Sequence, residues 1–255
     1  MPGRGGHPRA MTSTTRLTTH RIVVAPPRPG SATRPRHHRG DAHDPLAVAT
    51  VPRARRATAR RLKRLVDAVG SALALLSLAP LFALLALAIV LDSPGPALFR
   101  QERCGLGGRP FTLLKFRSMH AEATTEHPMP GANDADGPLF KLRADPRVTR
   151  VGRLLRRHSL DELPQLVNVL RGEMSLVGPR PALPREVDQY CGHARARLLV
   201  LPGLTGPWQV GGRSDLDWDA GLRLDLAYVH AWTPSTDARV LVRTIGAVLR
   251  PTGAY

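Results

Sequence analysis

From residue 68 to residue 91 the chain carries no charged side chain and consists largely of Leu, Ala, Val and Ile, bracketed by Asp67 and Asp92. The apolar character runs all round a helix rather than along one stripe, which predicts insertion into lipid rather than one face against a core. At helical rise the run is about 36 Å long, enough to cross a hydrocarbon layer of about 30 Å. Pro80 stands at its centre. A proline there removes a backbone hydrogen bond and clashes with the carbonyl of Leu76, so a sharp bend is expected. Ser77 lies beside the freed carbonyls and could satisfy one. Seven Lys and Arg residues precede the run over positions 48–67 and three follow over 92–111. Basic flanks favour the cytoplasmic face. Two topologies fit this pattern: a bent hairpin that enters and leaves on one side, and a proline-kinked helix that spans.

Beyond the run, Asp92-Ser-Pro-Gly-Pro96 is a turn. Ala97–Cys104 and Arg109–Phe116 read as two short strands, joined through Gly105-Leu-Gly-Gly108 into a β-hairpin. That glycine cluster lacks the spacing of a dinucleotide fingerprint, and no helix follows it. Residues 120–137, rich in His, Pro, Gly, Asn and Asp, form a surface loop. A helical pattern runs from Asp145 to Leu170 with an interruption near 159–164, and Gly178-Pro-Arg-Pro181 breaks the chain again. Residues 185–200 look helical, Pro202–Arg213 is an extended glycine-rich loop, and 217–232 and 235–250 give two amphipathic helices. No internal repeat appears. The fold class is α+β and helix-rich, with a membrane-inserted segment, a short β-hairpin and amphipathic interfacial helices.

Charge divides the chain. The formal net charge is +17, and most of it falls before residue 65. Residues 1–55 read as a disordered basic arm, residues 56–96 as a juxtamembrane and membrane segment, and residues 97–255 as a cytoplasmic catalytic domain. The arm holds Pro-Pro-Arg-Pro at 26–29 and irregularly spaced His7, His20, His37, His38 and His43. Such a stretch buries too little apolar surface to offset its ordering entropy, and its histidines have no metal-site spacing. Its start shows no signal-peptide pattern. Two cysteines, Cys104 and Cys191, exclude a disulfide scaffold and a cysteine-rich zinc site.

The densest chemistry lies in Arg156-Arg157-His158-Ser159-Leu160-Asp161-Glu162-Leu163-Pro164. Ser159 and Glu162 have capping-box spacing, but Pro164 argues against the full box and for a helix that starts at Asp161 or later. Either way, two adjacent carboxylates sit at a loop-to-helix junction behind arginines. One carboxylate can hold a divalent cation while the other attacks or orients, and arginine forks take phosphate oxygens. Arg180, between Pro179 and Pro181, is preorganised for an anion. Lys115-Phe116-Arg117 and Gly211-Gly212-Arg213 are weak signals alone, since short basic strings usually form a solvated face.

In combination these stretches resemble the monotopic polyprenyl-phosphate phosphoglycosyl transferases, the bacterial sugar transferase family. The matching motifs begin with Lys63-Arg-Leu-Val-Asp67, Asp92-Ser-Pro-Gly-Pro96, Gln101-Glu-Arg103 with Gly105, and Lys115-Phe-Arg-Ser-Met119. Asp145-Pro-Arg147, Ser159-Leu-Asp-Glu-Leu-Pro-Gln165, Asn168-Val-Leu-Arg-Gly172 and Met174-Ser-Leu-Val-Gly-Pro-Arg-Pro181 follow in order. Pro202-Gly-Leu-Thr-Gly206, Gln209-Val-Gly-Gly-Arg213, and Tyr228-Val229 with Trp232 complete them. The later motifs are most similar to the hexose-1-phosphate transferases that start exopolysaccharide or O-antigen repeats. Those often carry further N-terminal membrane helices and a regulatory domain, neither of which is expected here. Ser118, Val167, Gly211 and Cys104 depart from the usual pattern, and only Gly211, where Asn is common, touches an expected substrate contact.

The resemblance implies transfer of a sugar-1-phosphate from a UDP-sugar to polyprenyl (undecaprenyl) phosphate, with release of UMP and with Mg²⁺ as cofactor. It implies Asp161 as nucleophile, through an aspartyl phosphosugar intermediate, and Glu162 as the assisting carboxylate, the two together as the metal ligands. Lys115, Arg156, Arg180 and Arg213 are implied as substrate-binding residues. It also favours the re-entrant hairpin over the span, because UDP-sugars are cytoplasmic, and it places the protein on the cytoplasmic face of the inner membrane. Partners are then the UDP-sugar, polyprenyl phosphate and the membrane; nucleic acid is not expected, and homo-oligomerisation stays open. The competing reading is a membrane-anchored anion- or nucleic-acid-binding protein whose transferase domain is degenerate.

Overall fold

The computed structural model describes residues 53–123, 138, 142, 145–190, 192–212 and 216–249. Residues 1–52 of the expected basic arm lie outside this set, as do Cys191, Arg213 and most of the 120–137 loop.

Helix α1 (Arg53–Ser77) begins well before the uncharged run, and helix α2 (Ala79–Asp92) follows it after a break at Leu78. The two are bent by 63°. The expected bend is present, but Pro80 sits in the first turn of α2, where its missing N–H costs least, rather than inside a continuous helix. Ser77 Oγ donates to the Ala74 carbonyl at 3.2 Å, not to the Leu76 carbonyl that Pro80 frees. Among the described residues no single helix is long and apolar enough to cross a membrane; the bent pair together has the length and composition. Leu73, Leu76, Leu84, Leu87 and Leu91 are all more than half exposed along it.

Both ends of this pair are tied to the same folded body. Arg64 donates to the Val169 and Leu170 carbonyls at 2.6 and 2.7 Å, and so closes the C-terminus of helix α4 (Gln165–Arg171), where a cation also opposes the helix dipole. Asp67 accepts from Leu176 N at 3.0 Å. Lys63 donates to the Val177 carbonyl at 3.1 Å and to Asp237 at 2.6 Å. At the other end, Arg117 donates to the Ser93, Pro94 and Gly95 carbonyls and closes the turn after α2. Arg117 is buried, so the 115–117 string does not form the solvated face that short basic strings usually do. Asp92 accepts from Val151 N at 3.0 Å, in the first turn of helix α3 (Arg150–Arg157), which Thr149 caps by accepting from Gly152 N at 2.9 Å.

The hairpin forms as expected. Strands β1 (Leu98–Cys104) and β2 (Pro110–Phe116) pair antiparallel, Leu98 opposite Phe116, through a 3₁₀ turn at Leu106–Gly108. Phe116 packs with Ile89 and Leu155, which joins α2, β2 and α3; Leu160 and Leu163 close over this cluster and carry the acidic turn between them. A second sheet goes against the sequence reading. Strands β3 (Ser175–Val177) and β4 (Gly203–Thr205) pair in parallel, and helix α6 (Pro207–Gly211) follows at once, within the span read as an extended loop. Backbone contact drives this pairing: a Cβ at Gly203 would lie 2.1 Å from Gly178 N. The helix expected over 185–200 is two pieces, α5 (Pro184–Asp188) and a 3₁₀ segment at Gly192–Leu199. Helices α7 (Trp218–Ala231) and α8 (Pro234–Leu249) match the two amphipathic patterns. The α7 face that carries Leu222, Asp225 and Tyr228 is buried, while α8 buries Val240 and leaves Val242 and Ile245 exposed.

Candidate active site

Asp161 and Glu162 lie on a 3₁₀ turn, Leu160–Glu162, between α3 and α4. Pro164 caps α4 from outside the helix, which satisfies the constraint that its ring imposes. Ser159 does not form a capping box. It adopts a left-handed conformation with φ of 55°, the only non-glycine residue with positive φ among the described residues. Such a conformation costs about 1–3 kcal/mol and persists only where its surroundings over-determine it. Leu160 and Leu163 in the core supply that constraint on one side, and His158 Nδ1, 3.2 Å from the Val248 carbonyl of α8, supplies it on the other.

Lys115, from β2, reaches both carboxylates. Its Nζ is 2.7 Å from Glu162 Oε1 and 4.0 Å from Asp161 Oδ2. Asp161 is buried at 8% exposure, whereas the Glu162 side chain is about a third open at 35%. Burial pushes the Asp161 carboxyl above the usual range; Lys115 pulls it back, Glu162 pushes it up and Arg156 lowers it again. Burial acts upward on Glu162 too, but Lys115, by charge and hydrogen bond, outweighs it together with Arg180 and Arg103, so that carboxyl sits below the usual range. Adjacent carboxyls pushed in opposite directions suit different roles in one reaction.

Three guanidinium groups act on the pair, those of Arg156, Arg180 and Arg103, and a fourth, Arg197, lies behind the turn that carries Arg180. Arg156, in the last turn of α3, donates through Nε to Ser118 Oγ at 2.9 Å; burial lowers it, and Asp161 and Asp145 hold it charged. Arg180 ion-pairs with Glu186 at 3.2 Å, and its charge is felt at Glu162. Arg103, buried on β1, donates to the Pro181 carbonyl at 3.0 Å and to Gln101 Oε1 at 2.6 Å, and its charge also reaches Glu162. Arg197 lies deepest, paired with Asp225 at 2.8 Å.

Lys115, Asp161 and Glu162 are thus brought together, with Arg156 and Arg180 at longer electrostatic range, and Arg213 falls outside the described residues. Arg103 stands in the Gln101-Glu-Arg103 motif with no role legible there, and Glu186 belongs to none of the motifs. No short-range spacing links Glu186 to the acidic turn, so nothing in the sequence could have found it. Asn168, of the Asn168-Val-Leu-Arg-Gly172 motif, is scaffold rather than site: fully buried, it accepts from Leu114 N at 3.0 Å and donates to the Thr112 carbonyl at 2.7 Å.

The Bacterial sugar transferase family profile matches residues 58–251 of the chain. The chain belongs to that family. Among curated members it is 43% identical over 203 residues to the undecaprenyl-phosphate galactose phosphotransferase of Salmonella typhimurium, covering 78% of this chain and 42% of that protein. It is 45% identical over 203 residues to the UDP-glucose:undecaprenyl-phosphate glucose-1-phosphate transferase of Caulobacter vibrioides, covering 76% of this chain and 72% of that one. The exopolysaccharide production protein ExoY of Sinorhizobium fredii is 41% identical over 199 residues, covering 76% of this chain and 88% of its own length. The chain therefore spans less than half of the Salmonella relative and most of the other two. The region matched by the family profile contains the acidic turn, Lys115 and the four arginines.

Proposed function

We propose that the protein transfers a sugar-1-phosphate from a UDP-sugar to polyprenyl (undecaprenyl) phosphate, releasing UMP, as the first step in building an exopolysaccharide or related glycan. The buried Asp161 beside a Lys115-paired Glu162, in a chain whose relatives are named for this transfer, carries the reading. A carboxylate oxygen of Asp161 attacks the phosphorus that bears the sugar. The bond from that phosphorus to the bridging oxygen breaks, and UMP leaves with the electron pair. The lipid phosphate then attacks the same phosphorus and displaces Asp161. Two anionic substrates repel each other, and a covalent step separates their encounters in time. Lys115, Arg156 and Arg180 supply fixed positive charge for the phosphoryl oxygens as negative charge shifts among them, and Arg213 is assigned the same task.

Magnesium fits this donor set. It is commonly held by one or two carboxylates together with substrate phosphates, and Asp161 and Glu162 are adjacent hard-oxygen donors. Among the described residues no cluster of three or more His, Cys, Asp or Glu offers another cage. Bound there, the ion would neutralise phosphate charge and stabilise the leaving group. The test is UMP release from membranes with Mg²⁺ and polyprenyl phosphate across UDP-glucose, UDP-galactose and their N-acetylated counterparts. Release that depends on the lipid phosphate with one of these supports the assignment; none with any of them sinks it.

The α1–α2 pair is proposed to dip into the cytoplasmic leaflet of the inner membrane and return. Its exposed leucines offer a surface for lipid, and the attachment of both flanks of the uncharged run to one body supports entry and exit on the same side. The exposed Val242 and Ile245 of α8 give that helix an apolar face for the interface. In a background without Cys104 and Cys191, single cysteines at Thr58 and Glu126 should both resist an impermeant thiol reagent until cells are lysed. Labelling of one alone in intact cells would show a span. Pro80→Ala restores a donor and removes the ring clash, so it should give partly inverted topology or lost activity.

A further inference from the structure

The turn that carries Arg180 contains two prolines and so offers few N–H donors, yet each carbonyl from Pro179 to Ala182 is occupied from a different direction. Pro179 accepts from Gly203 N at 2.8 Å and Ala182 from Cys104 N at 2.9 Å. Arg180 accepts from Arg197 Nη2 at 3.4 Å and Pro181 from Arg103 Nη1 at 3.0 Å. Two strands and two buried guanidinium groups therefore fix the main chain before any ligand arrives.

The side chain is fixed by a single partner. Arg180 Nη1 lies 3.2 and 3.5 Å from the two carboxylate oxygens of Glu186. Its Nε and Nη2 have no partner among the described residues. The Arg180 side chain is 37% exposed, whereas that of Glu186 is 2% exposed. Glu186 is itself pinned, because its Oε2 accepts from Leu183 N at 2.9 Å in the first turn of α5. Arg103 adds positive charge that Glu186 also feels. A buried carboxylate thus grips one nitrogen of a half-exposed guanidinium whose charge is felt at Glu162, and leaves the other two without a protein partner among the described residues.

We propose that Glu186 is a positioning residue: it holds Arg180 by Nη1 so that Nε and Nη2 form a preset fork for a phosphate of the nucleoside diphosphate donor. The proposal rests on the transferase reading above for the identity of the donor. Arginine binds phosphate through two parallel N–H bonds, and a fork oriented beforehand loses less rotamer freedom on binding.

The experiment is a double-mutant cycle on the full chain in lipid vesicles, read as calorimetric binding of UDP with Mg²⁺ and, separately, as UMP release. Glu186→Gln keeps the shape and an acceptor for Leu183 N but removes the charge that grips Arg180. It should weaken UDP binding about tenfold, or about 1.4 kcal/mol. In an Arg180→Ala background the same change should alter binding less than twofold, since Glu186 then has nothing to position. Equal weakening in both backgrounds, or none in the wild-type background, overturns the proposal. Glu186→Asp keeps the charge but withdraws it by one methylene; it should weaken binding severalfold at an unchanged melting temperature and runs the same cycle if the glutamine variant does not fold. If neither variant folds, Glu186 is structural and the proposal falls. A wild type that binds UDP but releases no UMP from any UDP-sugar sinks the transferase reading and leaves the cycle readable. A wild type that does not bind UDP overturns both.

Discussion

Asp161→Asn is expected to release UMP at least about 10³-fold more slowly than the wild type and to melt no lower. The loss follows from chemistry: an amide is a poor nucleophile, and removal of the attacking group leaves only the rate enhancement that binding and charge provide. The stability follows from burial. The folded state holds the Asp161 carboxyl above its ordinary value, chiefly through loss of solvent and against the pull of Lys115. An acid raised on folding binds its proton more tightly in the folded state, so its ionised form opposes folding at neutral pH, and the opposition fades as pH falls through the raised value. A neutral side chain of the same shape removes it. Glu162→Gln should behave differently. Its carboxyl is held below the usual range, so ionisation favours the folded state above that range and the benefit is lost as pH falls. Because the side chain is a third exposed, the stability cost should stay below about 1 kcal/mol while most turnover is lost. Rates and melting temperatures of the two variants, measured side by side, check this. Substantial UMP release by Asp161→Asn would remove the nucleophile assignment; a clear drop in its melting temperature would mean that the buried carboxylate stabilises the fold.

Elements set by local pattern were readable from the sequence; elements set by distant contacts were not. The uncharged run announces itself because it is apolar all round, and the hairpin because two short strands flank glycines that make its turn. The start of α1 at Arg53 is different in kind. Lys63, Arg64 and Asp67 read as charges beside a membrane segment, yet each is used by backbone or side-chain groups more than a hundred positions away. β3 and β4 are three-residue strands with no alternation to detect, and they exist because Gly178 and Gly203 allow two backbones to touch. The same division holds at the site. Asp161 and Glu162 stand out by adjacency and Lys115 by the family motif, whereas Glu186, Arg197 and Asp225 matter only through partners that no spacing reveals.

Arg197→Met should destabilise the protein by about 3–5 kcal/mol, the range for breaking one side of a buried ion pair. Arg197 is 4% exposed and Asp225 fully buried. Two nitrogens of Arg197 meet Asp225 Oδ2, at 2.9 and 2.8 Å, and a third meets the Tyr190 hydroxyl. The rings of Tyr190, Trp208 and Trp218 surround the guanidinium at 5.6, 5.6 and 5.5 Å, so its flat faces are covered by π-systems that favour a cation. Asp225 is already poorly served: burial raises its carboxyl, Arg197 does most of the work against that, and Oδ1 has no hydrogen-bond partner among the described residues. Without Arg197 the carboxylate would be stranded, and it would take up a proton at a pH still further above the ordinary value. The stability deficit of the variant should therefore shrink as pH falls, because the folded state binds a proton that the unfolded state does not. Arg197→Met with Asp225→Leu should recover most of the loss, since apolar side chains that fill the same space often replace a buried pair at little cost. Urea unfolding of the three proteins at two pH values gives the comparison. A single variant within about 1 kcal/mol of wild type at neutral pH, or a double variant no more stable than the single, would show that the pair contributes far less than its burial implies. The double variant should still bind the donor less well, because the Arg180 carbonyl has lost its Arg197 donor and one side of the turn that presents Arg180 is then unsupported.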